Sequence, residues 1–501
     1  MDMLFNSYQF LLFFPFVTLV YFLIPNRIKY IWLLISSYYF YMCWNAKYAL
    51  LMLFSTVITY VCSILIETVK HSQWVDSKKT KYKKLFLLLC ISLNLLVLGY
   101  FKYSNFLLDL VSKLFGIFHI SLVIPEFDII LPVGISFYTF QALGYTIDVY
   151  RDEIYAEKNF LRYALFVSFF PQLVAGPIER SKNLLKQLAV PKPFSFEGAK
   201  HGAYLMLWGF FLKVVLADRL ALTVDAVYNT YKTQNGLMLA IATILFALQI
   251  YCDFYGYSVI AKGAAKILGI DLMENFESPY LSFSVAEFWR NWHISLTSWF
   301  KDYLYIPLGG SRKGKLRKYI NKVVVFLVSG LWHGDGLSFV AWGFLNGIYQ
   351  VIEELLRPAV TKVLGCMKTD EHNIFYKSIQ LILTFVLVDI AWIFFRANGV
   401  RSALMIANRI LCIDKACLAD MMSQLNAVGL DQRSIVLIAG CILVLLVADF
   451  CKKRRIFLSQ KIMNLPWWVQ SCLIVAFLCT ILVFGVWGPG YNQANFIYFQ
   501  F

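Results

Sequence analysis

Apolar and polar positions fall along this chain in long blocks. Near-continuous apolar runs occupy Gln9–Ile24 (extended by Tyr8), Tyr48–Ile66, Leu85–Phe101, Ala199–Leu220, Gly236–Phe254, Ile374–Phe395, Ser434–Val447 and Pro466–Trp487. Runs of roughly 18 apolar residues or more mark helices that cross a membrane. The pattern predicts an all-α, polytopic membrane protein with about 11 transmembrane helices plus re-entrant and interfacial helices. Between Ser104 and Glu197 the blocks loosen. "IILPVGISFYTFQALGYTIDVYR" is interrupted by Pro132, Gly134, Gln141 and Gly144, and "FVSFFPQLVAGPIER" by Pro171, Gly176 and Pro177. Broken apolar segments at membrane depth are tolerated where they line a cavity or are buried in protein. The middle of the chain is therefore expected to surround an interior polar space. Ser284–Lys322 mixes Trp, Arg, His and Asp at helical spacing and reads as an interfacial or re-entrant helix. No fixed-period repeat stands out, and a single membrane domain over residues 1–501 is the simplest organisation.

Composition sharpens this reading. The chain is 59% hydrophobic and 15% charged, against roughly 25% charged in soluble domains. Its formal net charge of +16 would suggest nucleic acid on a soluble protein. Here the basic residues cluster in short loops between apolar runs, the positive-inside pattern, and nucleic acid is excluded as a partner. The loops at Arg27 and Lys29, at Lys70–Lys84, at Arg312–Lys322 and at Cys451–Arg455 are expected on the cytoplasmic side. That puts the C-terminal tail, residues 488–501, on the extracytoplasmic side. The first apolar run follows Asp2 and Asn6 without a basic leader and reads as a span rather than a cleaved signal. The 11 cysteines contain no CxxC pair, and neither a disulfide framework nor a metal site is expected.

Two histidines carry the candidate chemistry. His71 and His372 sit in polar loops, and His119 and His201 border amphipathic stretches. His293 and His333 each follow a tryptophan, in "NWHISL" and in "VSGLWHGDGLSFVAWG". With Arg312–Lys322 cytoplasmic, His333 lies roughly ten residues into the following apolar run, about 15 Å at helical rise. That is about half the thickness of a roughly 30 Å hydrocarbon core. Ionisable groups at that depth are costly and usually face a cavity, and a neutral buried imidazole can accept a proton and return it. The alternative at both positions is a histidine that bonds a neighbouring helix to fix packing. Gly334 and Gly336 would allow close approach of backbone or ligand, or serve helix packing. Asp335, two residues from His333, would orient the site or line its cavity. Trp332, Trp289, Arg290, Asn291 and Asp302 are further candidates for lining the tunnel or binding substrate. Glu287 and Arg290, three apart, could instead simply pair.

The segment "EFWRNWHISLTSWFKDYLYIPLGGSRKG", followed by "VSGLWHGDGLSFVAWGFLNG", resembles the membrane-bound O-acyltransferase family. Within it the bacterial branch of alginate O-acetyltransferases and teichoic-acid D-alanyl transfer proteins is the nearest in pattern. "SFFPQLVAGPIERSKNLLKQL", "GISFYTFQALGYTIDVYR" and the terminal "FIYFQF" match the same branch, and "FKDYLYIPLGG" leans toward the alginate type. The resemblance implies a ring of membrane helices around a central tunnel in a bacterial cell-membrane protein. It implies an acyl thioester donor on the cytoplasmic side, acetyl-CoA or a carrier-protein thioester, and no bound cofactor. The acceptor would be an extracellular or cell-wall polysaccharide, reached through a secreted or membrane-anchored esterase-fold partner. His333 takes the expected catalytic position and His293 the second polar one. Tyr498, in the terminal motif, is implied as an acyl relay, the alternative being an aromatic anchor at the membrane interface. D-alanyl transfer to teichoic acid is the nearest rival function, and a polysaccharide or lipid transporter the rival from another class.

Overall fold

The computed structural model describes residues 3–118, 131–174, 176–366, 370, 373–413 and 421–486. Among these the secondary structure is helical, apart from one isolated bridge between Phe276 and Trp292. Among the described residues six helices are long and apolar enough to cross a membrane: Ala46–His71, Asp76–Ile117, Gly236–Ile267, Ile374–Arg396, Gln432–Lys453 and Trp467–Phe484. The chain divides into two compact units. One is built from the described residues up to Met206 together with Ile260–Met273, the other from Leu207–Val259 together with the described residues from Glu274 onward.

The first unit contains α1 (Tyr8–Leu23), α2 (Lys29–Met42), α3 (Ala46–His71), α4 (Asp76–Ile117), α5 (Ile135–Tyr150), α6 (Phe160–Ser168), the single turn α7 (Phe170–Leu173), α8 (Ser181–Ala189) and most of α9 (Phe196–Phe210). Side-chain caps start several of these: Ser7 accepts from Phe10 N, Asn45 from Lys47 N and Asn159 from Arg162 N. Such caps satisfy backbone donors that a helix start leaves open. Hydroxyls and amides stitch the apolar helices together. Ser55 donates to Asn94 at 2.5 Å, and Tyr163 donates to Thr59 at 2.7 Å. Where the sequence pattern breaks, the backbone turns. Gly134 sits at φ 72°, and a Cβ there would lie 2.6 Å from the Leu173 carbonyl oxygen. At one edge Lys70 and Lys83 both reach Asp152, at 2.7 and 3.3 Å.

The second unit continues α9 into a π-helical turn, Phe211–Ala217, and then α10 (Asp218–Asn229) and α11 (Gly236–Ile267), whose last residues belong to the first unit. Next come the short α12 (Val285–Asn291) and α13 (Ile294–Phe300), a second π-turn at Lys301–Tyr305, α14 (Lys315–His333), α15 (Leu337–Cys366), α16 (Ile374–Arg396) and α17 (Val400–Leu411). The chain closes with α18 (Met421–Ala427), α19 (Gln432–Lys453), α20 (Leu458–Met463) and α21 (Trp467–Phe484).

Ser284–Lys322, expected as one helical stretch, is broken in two places. The first break falls at His293, where φ is +45°. Asn275 takes over there: its carbonyl accepts the Ile294 N–H at 2.9 Å and its side chain the Ser295 N–H at 3.2 Å. These bonds pull the chain out of the helix that begins at Ser284. The second break, after the π-turn, contains Gly309, Gly310 and Gly314, all at positive φ.

Helices α14 and α15 form a tight hairpin with His333 at its tip. Its closeness depends on glycine. A Cβ at Gly343 would sit 2.2 Å from the Phe326 carbonyl oxygen, and one at Gly330 2.3 Å from that of Phe339. At the other end of the hairpin Lys318 and Lys322 both bond Glu354, at 2.5 and 2.7 Å. The basic residues in the first two turns of α14 are thus tied to the returning helix of the hairpin.

Candidate functional site

The hairpin tip and the break at His293 come together in the second unit. His333 is the last residue of α14 and is 5% exposed, while His293, at the N-terminus of α13, is 1% exposed. Trp332 stands between them. Its ring centroid lies 4.9 Å from that of His333 and 6.0 Å from that of His293, edge-on to both. Edge-to-face packing of this kind favours one relative orientation of the rings.

Around His333 the remaining walls are aromatic. Trp342 on α15 meets it at 5.0 Å and Phe395 on α16 at 5.4 Å. Trp392, one turn earlier on α16, stacks on Trp342 at 5.8 Å and packs against Trp292 at 5.2 Å. Gly334 follows His333 in extended backbone, and a Cβ there would strike the Phe339 ring at 2.1 Å. That glycine therefore admits the Phe339 ring to the turn. Around His293, Phe254 on α11 packs edge-on at 4.6 Å, and Ser295 Oγ lies 3.5 Å from Nδ1.

Polar groups behind the aromatic walls hold them in register. Trp289 donates its indole N–H to Asn346 at 3.0 Å, and Asn346 donates to the Trp342 carbonyl at 2.9 Å. Trp289 also packs edge-on against Trp342 at 5.4 Å. Glu353 accepts the Val285 N–H at 2.7 Å and the Ala286 N–H at 3.3 Å, capping α12. Asn275, which supports the His293 break, is itself held by Ser258 at 3.2 Å. Trp392 donates to the Tyr280 hydroxyl at 3.1 Å, and Tyr280 donates to the Ala247 carbonyl at 2.7 Å.

The sequence candidates divide accordingly. His293, Trp332 and His333 form one contact series, and Trp289 joins it through Trp342. Asp335 lies in the turn beside His333 but is exposed. Arg290 is exposed, and its Nε donates back to the Ala286 carbonyl of its own helix at 3.3 Å. Asn291 donates to Ser282 at 3.1 Å. Asp302 lies in the second π-turn, half-buried. Glu287 does not pair with Arg290: it accepts the Phe283 N–H at 2.8 Å and bridges to Lys453 at 3.5 Å. Tyr498, His119 and His372 lie outside the described residues. Phe395 and Asn275 lie outside every quoted motif, while Trp342 and Asn346 lie inside "VSGLWHGDGLSFVAWGFLNG" without being singled out there. A lone asparagine inside the apolar run of α15 is the one signal that marks Asn346 in advance. Among the described residues no three of His, Cys, Asp and Glu gather in a group that could hold a metal ion.

Comparison with known proteins places this geometry in context. Residues 39–386 match the family model of MBOAT, the membrane-bound O-acyltransferase family. The chain is 35% identical over 408 residues to the probable alginate O-acetylase AlgI of Pseudomonas putida, covering 80% of this chain and 79% of that protein. It is 30% identical over 510 residues to the peptidoglycan O-acetyltransferase of Helicobacter pylori, covering 94% and 91%. The teichoic acid D-alanyltransferase of Streptococcus thermophilus is 29% identical over 283 residues, covering 52% of this chain and 68% of that protein.

Proposed function

Since the chain belongs to the membrane-bound O-acyltransferase family, we propose that it passes an acetyl group from a thioester donor on the cytoplasmic side to the O-acylation of a cell-envelope polysaccharide. The observation that carries this reading is the pair of buried histidines on either side of Trp332. His333 is the general base. It takes the proton of an attacking hydroxyl as that oxygen bonds to the thioester carbonyl carbon. The carbon–sulfur bond then breaks, and the departing sulfur takes the proton from the imidazolium to leave as a thiol. His293, turned in by its left-handed backbone, serves as the donor that stabilises the oxyanion in between. The aromatic walls keep water from the activated acyl group, which protects it from hydrolysis.

Acetyl transfer is favoured over D-alanyl transfer by coverage. The O-acetylases and the peptidoglycan O-acetyltransferase match 80% to 94% of this chain, the D-alanyltransferase 52%. A transporter reading gains nothing from the site, because no transport step requires an imidazole pair walled by tryptophan. The chain acts as one membrane domain, its C-terminal tail lies on the extracytoplasmic side, and a secreted or membrane-anchored esterase-fold partner completes delivery.

The attacking hydroxyl in this reading belongs to Tyr498. Tyr498 lies eleven residues beyond Trp487, and extended they reach roughly 36 Å, more than the roughly 30 Å hydrocarbon thickness. The phenol oxygen forms the first ester, and the partner's nucleophile then displaces the phenolate, a better leaving group than an alkoxide. Tyr498→Phe keeps the ring and removes the hydroxyl. Polysaccharide acetylation in cells carrying it is expected to fall by about 10² or more, the scale of losing a nucleophile or its base. Normal acetylation would leave Tyr498 as an anchor.

A further inference from the structure

Away from the histidines, the second unit buries a cluster of three charged side chains. Lys213 Nζ lies 2.8 Å from the Asp218 carboxylate and 2.7 Å from that of Asp253, and all three side chains are 5% exposed or less. Lys213 and Asp218 are five residues apart. On an α-helix the facing neighbours are three and four apart, so this pair requires the π-turn of Phe211–Ala217. The backbone agrees: the Asp218 N–H bonds to the Lys213 carbonyl, five residues back. Asp253 reaches the pair from α11, where Gly256 lets the helices close. A Cβ at Gly256 would lie 2.8 Å from the Gly209 carbonyl oxygen.

The π-turn has a consequence for its outer side. In an α-helix the Asp218 N–H would take the Val214 carbonyl. Here it bypasses that oxygen, which accepts instead the N–H of Val486 at 3.0 Å. Beside it Arg219 Nη2 donates to the Phe484 carbonyl at 2.7 Å. Two backbone groups at the end of α21 are thus bound, one by the π-turn and one by the first turn of α10. The Phe477 ring, two turns earlier, packs on Phe211 at 5.2 Å.

We propose that the π-turn, with its buried Lys213–Asp218–Asp253 cluster, is a clip that fixes where the chain leaves α21. Val214 and Arg219 are then positioning residues for the C-terminal segment, a role that rests on the delivery reading given above for that segment. Helix α11 ties the clip to the histidine site. Asp253 holds Lys213, the next residue Phe254 packs on His293 at 4.6 Å, and Ser258 holds Asn275 at 3.2 Å. π-turns inserted in helices are frequent at functional sites, and this one converts a buried ion pair into an open carbonyl.

The test is hydrogen–deuterium exchange on the full chain in lipid nanodiscs, read with polysaccharide acetylation in cells. In the unsubstituted protein the Val486 amide is expected to be protected. Asp218→Asn keeps the side chain's size and removes the charge that needs π spacing. It is expected to speed Val486 exchange about ten-fold, the scale of one hydrogen bond, without changing the amides in the middle of α21. Arg219→Ala gives the same direction. Val486→Pro removes the N–H without touching the charged cluster, and Gly485, at φ −64° and ψ 152°, suits a residue before proline. It is expected to lower acetylation about ten-fold, whereas Val486→Ala, which keeps the N–H, retains it. Unprotected Val486 in the starting protein, exchange unmoved by Asp218→Asn and Arg219→Ala, or normal acetylation by Val486→Pro overturns the clip. Tyr498→Phe separates the two ideas, since it leaves Val486 exchange unchanged. Normal acetylation by Tyr498→Phe beside impaired Val486→Pro removes the relay and keeps the clip.

Discussion

The imidazole of His333 stands edge-on to the indole of Trp342, ring centroids 5.0 Å apart and planes at 82°. The two residues lie on opposite arms of a hairpin whose glycines let the backbones touch. Position at the hairpin tip, aromatic walls and the neighbouring Trp332–His293 pair all depend on that close crossing.

Gly343→Ala tests the crossing. The added carbon would meet the Phe326 carbonyl at 2.2 Å; its position is fixed by one helix backbone and the carbonyl belongs to the other, so one helix must move. Forcing extra volume into a packed interface typically costs about 1–3 kcal/mol. A lower melting temperature in detergent is expected, together with reduced acetylation, because Trp342 is the adjacent residue. An unshifted melting temperature would show that the helices are not in contact at that level.

His293 separates chemistry from strain. Its φ of +45° costs a non-glycine residue about 1 kcal/mol or more. His293→Ala keeps the strain and loses the ring, whereas His293→Gly loses both. The glycine variant is expected to be the more stable of the two, with acetylation equally impaired in both. Should the glycine variant recover full activity, His293 serves packing alone.

Asp152 gives a pH dependence at the first unit's edge. Its hydrogen bond from Lys70, aided by Lys83, holds its carboxyl below the usual carboxylate value. A carboxyl with a lowered folded-state value stabilises the protein above the ordinary value near pH 4, and that contribution fades as pH falls through the lower one. The group is largely exposed, so salt screens it and the effect is small. Asp152→Asn is expected to lower the melting temperature slightly at pH 7, with the gap closing as pH falls below the ordinary carboxylate value and in high salt. A gap that persists at acid pH would mean that the asparagine disturbs the turn itself, where φ is 63°.

Much of this was legible in the sequence, and the rest was hidden for definite reasons. Block hydropathy suffices to show helices because each long helix needs its own apolar surface. Both Trp-His pairs stand out because ionisable groups are rare in such blocks. Their meeting across Trp332 is not legible, since forty positions separate His293 from His333 and nothing local encodes the contact. The break at His293 depends on Asn275, a distant single residue with no motif around it. The π-turn at Phe211–Ala217 is equally silent, because π and α turns bury the same apolar residues. Arg290 and Asp335 each stand close in sequence to one of the two histidines, but what their side chains touch is not written there: Arg290 donates back to its own helix, and Asp335 is exposed just past the end of α14.

The most direct measurement is acyl transfer by His333→Ala, taken in proteoliposomes as cleavage of acetyl-CoA and in cells as polysaccharide acetylation. His333 is buried among three rings, so the variant's level in the membrane and its melting temperature are measured beside both readouts and are expected to stay close to those of the unsubstituted protein. Both readouts are expected to fall by about 10² to 10⁴, the usual contribution of a general base. A well-folded variant that transfers acetyl at a near-normal rate would contradict His333 as the base.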